Sequence, residues 1–201
     1  LHLSKNKLIN QNLNTPASAT SEHDRKQVKV LQLIEAYRIR GHQVAKLDPL
    51  NLMERSTVPD IELDYHGLSA ADLDTEFQVG SLAFGSDILP LKDIITGLQN
   101  TYCASLGAEY MHIVDTEIRT WFQERIESVK GKPNYEFDTR YHLLERLTAA
   151  EGLEKYLGSR YPGTKRFGLE GGESLIPLVD ELIQRAGGYG AKEIVIGMAH
   201  R

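Results

Sequence analysis

The residues best equipped for chemistry fall in three clusters. The first is the terminal pair His200-Arg201, which follows Ile194-Val195-Ile196 and Gly197-Met198-Ala199. A β-branched run of this kind predicts a buried strand over Lys192 to Ala199. In α/β proteins ligands collect outside the carboxyl ends of strands. A histidine there can move a proton near neutral pH, and an adjacent arginine can clamp a phosphate or carboxylate with a planar fork. The second cluster is Lys165-Arg166-Phe167-Gly168-Leu169-Glu170-Gly171-Gly172-Glu173-Ser174. A glycine pair entering a helix offers backbone N–H groups to an anion, and Arg166 could add a fork. The spacing is not that of a P-loop, and a plain loop-to-helix turn accounts for it equally. The third is Arg38-Ile39-Arg40-Gly41-His42. Here the simpler reading is a capped helix end whose arginines complement the helix dipole. The remaining histidines (His2, His23, His66, His112, His142) have no ligand spacing, and no HExxH, GxSxG or GxGxxG motif occurs.

These clusters need elements to hold them. Ser21 with Asp24 three residues on predicts a helix start, and Val30, Leu31, Ile34 and Tyr37 follow at helical spacing to a stop at Gly41. Asp48 before Pro49 breaks the chain. Residues 51–89 read as short helices and loops. Pro90 opens a helix carrying Leu91, Ile94, Ile95, Leu98 and Tyr102. Asp115 opens another, with Ile118, Trp121, Phe122 and Ile126 as its apolar stripe and Trp121 as a core anchor. A further helix is predicted from about Asp138 to Leu157. The last third changes to loop, helix from about Gly172 to Ala186, a Gly187-Gly188 turn and the strand, which is the entry into a parallel sheet.

The expected organisation is therefore mainly α. A flexible arm spans residues 1–22 and a helical region 23–137. Residues 138–201 begin an α/β domain that is incomplete, truncated at Arg201.

Composition sets outer bounds. The 201 residues carry 41% apolar and 25% charged side chains, ordinary for a soluble fold. A net charge of −5 without a basic stripe gives no reason to expect nucleic-acid binding. No run of apolar residues is long enough to span a membrane. The lone Cys103 excludes an internal disulfide framework and a CxxC metal site; it reads as a small buried hydrophobe in a helix.

Six segments occur in a telling order: Tyr37-Arg-Ile-Arg-Gly-His42, Leu47-Asp-Pro-Leu50, Glu109-Tyr-Met-His112, Leu147-Thr-Ala-Ala-Glu-Gly-Leu153, Lys165-Arg-Phe-Gly-Leu-Glu-Gly-Gly-Glu173 and Gly197-Met-Ala-His-Arg201. Together they resemble the amino-terminal part of the thiamine diphosphate-dependent first component of the 2-oxoglutarate dehydrogenase complex. The resemblance covers about residues 25 to 201. One departure is Gly168, where the family has serine.

The resemblance implies oxidative decarboxylation of 2-oxoglutarate, with a succinyl group passed to a lipoyl arm. It implies thiamine diphosphate and Mg²⁺ as cofactors, with the metal ligands outside this chain. The 138–201 segment would then begin the thiamine diphosphate-binding domain. His200 is implied at the substrate's reacting carbon and Arg201 at the cofactor. The implied partners are the dihydrolipoyl succinyltransferase and dihydrolipoyl dehydrogenase components and a second copy of the chain. The implied location is the cytoplasm in a bacterium or the mitochondrial matrix in a eukaryote. Alone, the 201 residues are expected to be inactive. Alternatives are a 2-oxoadipate dehydrogenase, a 2-oxoglutarate decarboxylase relative, or a helical module that docks the complex's other components.

Overall fold

A computed structural model of the chain describes residues 21–54 and 57–198. The arm assigned to residues 1–22 lies outside this range up to Thr20, as do His200 and Arg201. Two compact units divide at Pro133–Asn134.

In the first unit, α1 runs from Glu22 to Arg40. It opens on a capping box: the Ser21 hydroxyl accepts from the Asp24 N–H at 3.0 Å, and the Asp24 carboxylate accepts from the Ser21 N–H at 3.1 Å. Val30, Leu33, Ile34 and Tyr37 form the buried face. The helix does not stop on a left-handed glycine. Gly41 stays right-handed and continues into a 3-10 turn, Gly41–Val44. Glycine is needed there for closeness, because a Cβ would stand 2.6 Å from the Cβ of Tyr102.

Residues 57–90 hold three 3-10 turns, at Pro59–Ile61, Asp64–His66 and Ala70–Asp72. They also hold a two-stranded antiparallel sheet, β1 (Glu76–Gln78) with β2 (Ile88–Pro90), which pairs Phe77 with Leu89. Alternation buries Phe77 and leaves its neighbours exposed. α2 follows directly (Leu91–Tyr102), burying Leu91, Ile94, Leu98 and Tyr102. α3 spans Thr116–Ser128, capped by the Asp115 carboxylate on the Ile118 N–H at 3.0 Å. The unit's core joins α1, α2, Phe77, Val79, Leu82, Leu68 and Tyr110.

α3 departs from expectation. Its stripe of Ile118, Trp121 and Phe122 is not buried: Trp121 is 51% exposed, with the Arg125 guanidinium 4.8 Å over its ring. The one residue α3 buries is Glu127. Apolar periodicity marks a face suited to burial, whereas what reaches the core here is a charge with a partner waiting for it.

The second unit consists of α4 (Phe137–Arg160) and α5 (Leu175–Gly188) with their loops. The two helices pack together and share a bond from His142 Nε2 to Asp180 Oδ2 at 2.6 Å. The strand expected over Lys192–Ala199 is absent among the described residues: Ala191–Met198 has no regular structure and Val195 is 94% exposed. A strand needs a hydrogen-bonding neighbour, and the described part of this unit offers none. The mainly α character holds throughout the described chain.

Candidate functional site

The most concentrated chemistry in the described chain is buried in the first unit. Val30, Leu33, Ile34 and Tyr37 set one face of α1, and Arg38 continues that face inward. Arg38 is 3% exposed and Glu127 is fully buried. Arg38 Nε donates to Glu127 Oε1 at 2.8 Å and Nη2 donates to Oε2 at 3.1 Å. The remaining arm, Nη1, donates to Glu35 at 2.5 Å and to the Ser81 hydroxyl at 3.1 Å. Glu127 also accepts from the Tyr102 hydroxyl at 2.7 Å and the Ala83 N–H at 3.0 Å. Tyr102 in turn meets the Tyr110 hydroxyl at 2.8 Å. The network ties α1, α2, α3 and two loops together at one point.

Electrostatics fix the protonation states. Burial disfavours the Arg38 charge, but Glu127 and Glu35 outweigh it and hold the guanidinium firmly protonated. Burial first, and the Glu127 carboxylate second, push the Tyr102 phenol far above its ordinary range. Burial raises Tyr110 as well. Every strong donor and acceptor is committed to a neighbour, and both phenols stay neutral. The arrangement holds helices together; it offers no free nucleophile or base.

Beside it lies a cavity of about 380 Å³ lined by Arg38, Ile39, His42, Glu109, Met111 and His112. It brings together the segments ending at His42 and His112, which are far apart in sequence. His42 Nε2 stands 3.7 Å from Glu109 Oε2, and His42 Nδ1 is buried without a hydrogen-bond partner. Among the described residues no group of three or more His, Cys, Asp or Glu side chains is placed to hold a metal ion.

In the second unit the glycine loop closes on itself. The Gly171 N–H donates to the Glu173 carboxylate at 3.1 and 3.2 Å, and the Gly172 N–H donates to the Leu169 carbonyl at 2.6 Å. The Leu169 N–H donates to Glu154 at 2.5 Å. The amides expected to receive an anion are therefore occupied by the loop's own acceptors. Arg166 lies across α4: a Cβ at Gly158 would come within 3.0 Å of both Nη atoms. Gly168 leaves room for the Glu170 carboxylate, which a Cβ there would meet at 2.2 Å.

The neighbouring cavity, about 410 Å³, sets Lys165 and Arg166 against Glu154 and Glu170. Two cations faced by two carboxylates, with the amides filled, do not fit a diphosphate. His200 and Arg201, the pair singled out in the sequence, lie beyond the described Met198. What sequence reasoning missed is the Arg38–Glu127 network. Its one legible signal was the position of Arg38 on the apolar face of α1.

No family model matches the chain. Over 185 residues, 92% of its length, it is 60% identical to the 2-oxoglutarate dehydrogenase E1 component of Azotobacter vinelandii. It is 48% identical over 185 residues to the protein of that name from Cupriavidus necator, and 44% identical over 178 residues to that from Haemophilus influenzae. The chain spans about a fifth of the length of these curated relatives.

Proposed function

From its kinship with the 2-oxoglutarate dehydrogenase E1 components over 92% of its length, we propose that the chain serves as part of such an enzyme. The whole protein would carry out the thiamine diphosphate-dependent oxidative decarboxylation of 2-oxoglutarate and pass the succinyl group to a lipoyl carrier. The single observation that carries this reading is the 60% identity sustained across 185 residues. The substrate follows the relatives, whose names specify 2-oxoglutarate rather than 2-oxoadipate.

Within that enzyme, residues 23–137 act as a helical scaffold keyed by the Arg38–Glu127 pair. Residues 138–201 begin the cofactor-binding domain. His200 stands at the keto acid, where it positions or transfers a proton, and Arg201 contacts the cofactor. The described residues make no diphosphate or Mg²⁺ site of their own, and no reaction step is assigned to them. The 201 residues alone are accordingly inactive. The E1 designation of the relatives supports work within a multienzyme complex. The partners proposed there are a lipoyl-bearing succinyltransferase, a dihydrolipoyl dehydrogenase and a second E1 subunit. Among the described residues no helix is long and apolar enough to cross a membrane.

The test is a pair of adjacent substitutions in the complete enzyme. His200→Ala should lower kcat by about 10²–10⁴-fold with a smaller change in cofactor affinity. Arg201→Ala should first weaken thiamine diphosphate retention, by about 1.5–3 kcal/mol for one charge-assisted contact. Near-normal turnover and cofactor affinity in both variants would remove His200 and Arg201 from the site.

A further inference from the structure

A further cavity of the first unit lies where the end of α1, the Pro59–Ile61 turn and the last turn of α2 meet. Its volume is about 450 Å³. Tyr37 and Ile61, both buried, make its apolar floor. Gln99 and Asn100 of α2, with Cys103 at the helix end, close one side. The remaining rim is charged.

Lys46 and Glu62 are the two charged side chains in the lining. Among the described residues neither meets an opposite charge at ion-pair distance, so they do not neutralise each other. Their backbones are held in place: the Lys46 N–H donates to the Ala104 carbonyl at 2.7 Å, and the Glu62 N–H donates to the Pro59 carbonyl at 3.0 Å. Burial pushes the Tyr37 phenol up to about 12 and the Cys103 thiol up to about 11, so both stay neutral near pH 7. One cation and one carboxylate thus stand unpaired over an otherwise uncharged cavity. A free cation alone would suit an anion, and a free carboxylate alone a cation. Both together suit a ligand that carries both charges. The two primary amides add donors and acceptors for its polar end, and the carboxyl end of α2 favours its positive group.

We propose that this cavity binds a small zwitterion, an α-amino acid with an apolar side chain. The ligand's carboxylate would pair with Lys46 and its ammonium with Glu62. Its side chain would cover Tyr37 and Ile61. Small-ligand sites of this size join an apolar lining to a few placed polar groups that fix orientation. A dicarboxylate would face Glu62 and a diamine would face Lys46, so the site rejects both by like charge. This inference stands independently of the reading as a dehydrogenase component.

The probe is free L-leucine, titrated into the 201-residue chain and followed by amide chemical shifts. The controls are 4-methylpentanoate, which lacks the ammonium, and 3-methylbutylamine, which lacks the carboxylate. Leucine should bind saturably with a Kd of about 1 mM or tighter, within reach of a ligand of its size. Its shifts should fall at residues 44–46, 61–62 and 99–104. Each control should bind about tenfold more weakly, the worth of one charge-assisted contact. Glu62→Gln should abolish leucine's advantage over 4-methylpentanoate and keep its advantage over the amine. Lys46→Gln should do the reverse. Both positions are exposed, so unchanged thermal melts are expected and certify the variants. Bound leucine should also slow the alkylation of Cys103 at pH 8, by covering it. Equal binding of leucine and its controls, unaltered discrimination in either variant, shifts confined to other segments, or no saturable binding would each overturn the proposal.

Discussion

Arg38 and Glu127, 89 residues apart, meet as a two-pronged ion pair inside the first unit, with donor–acceptor distances of 2.8 and 3.1 Å. Buried pairs of this kind return little net stability compared with apolar residues of the same volume, because both ions lose their water. Breaking one is another matter, since a lone buried charge remains.

Glu127→Ala should therefore destabilise the first unit by about 3–5 kcal/mol. Joint replacement by Arg38→Met and Glu127→Leu should cost less than the two single changes summed, because no orphaned charge is left. Urea denaturation of the four proteins gives the coupling directly. Additive losses would show that the two residues act separately.

Gly41 owes its identity to the contact with Tyr102. Gly41→Ala should lower stability by about 1–3 kcal/mol, the range for overpacking a filled interior. Its backbone is already helical, so conformational preference alone would favour alanine there. A stabilised Gly41→Ala protein, measured by thermal melting, would show that α1 and α2 have room to part.

Cys103 caps α2 and is half-buried, and burial pushes its thiol up to about 11. The thiolate is the reactive form, so it accumulates only as pH approaches that value. At pH 8 alkylation should run on the order of 10²-fold slower than for an exposed cysteine, and climb about tenfold per pH unit above that. A rate that levels off near pH 8.5 would place the thiol in water.

The sequence made most helices legible because each start carries its own chemistry. Ser21 with Asp24 and the Asp115 side chain mark the two helix starts that the structure confirms atom by atom. Where the outcome turned on tertiary partners, local signals failed. Trp121 looked like an anchor, yet α3 buries Glu127, because only the fold brings Arg38, Tyr102 and the Ala83 amide to one carboxylate. Phe77 and Leu89 pair across a sheet too short for periodicity to register. The β-branched run Ile194-Val195-Ile196 has strand composition without a neighbouring strand in the described chain, so composition overstated it. The glycine loop was legible as a turn. Its anion-binding potential was not, because Glu173 and the Leu169 carbonyl occupy the amides. Of the candidate catalytic pair, His200 and Arg201, the strongest signal was motif order along the chain rather than any spacing rule.

The central claim, that this chain does the work of the matching part of an E1 component, is tested most directly by a chimera. The corresponding 185 residues of the Azotobacter vinelandii relative would be replaced by those of this chain, and 2-oxoglutarate-dependent turnover measured with the other components of its complex present. The expected result is a folded, cofactor-retaining enzyme with turnover of the same order as its parent, lost when His200→Ala is added. A folded, cofactor-loaded chimera that does not turn over 2-oxoglutarate would contradict the account.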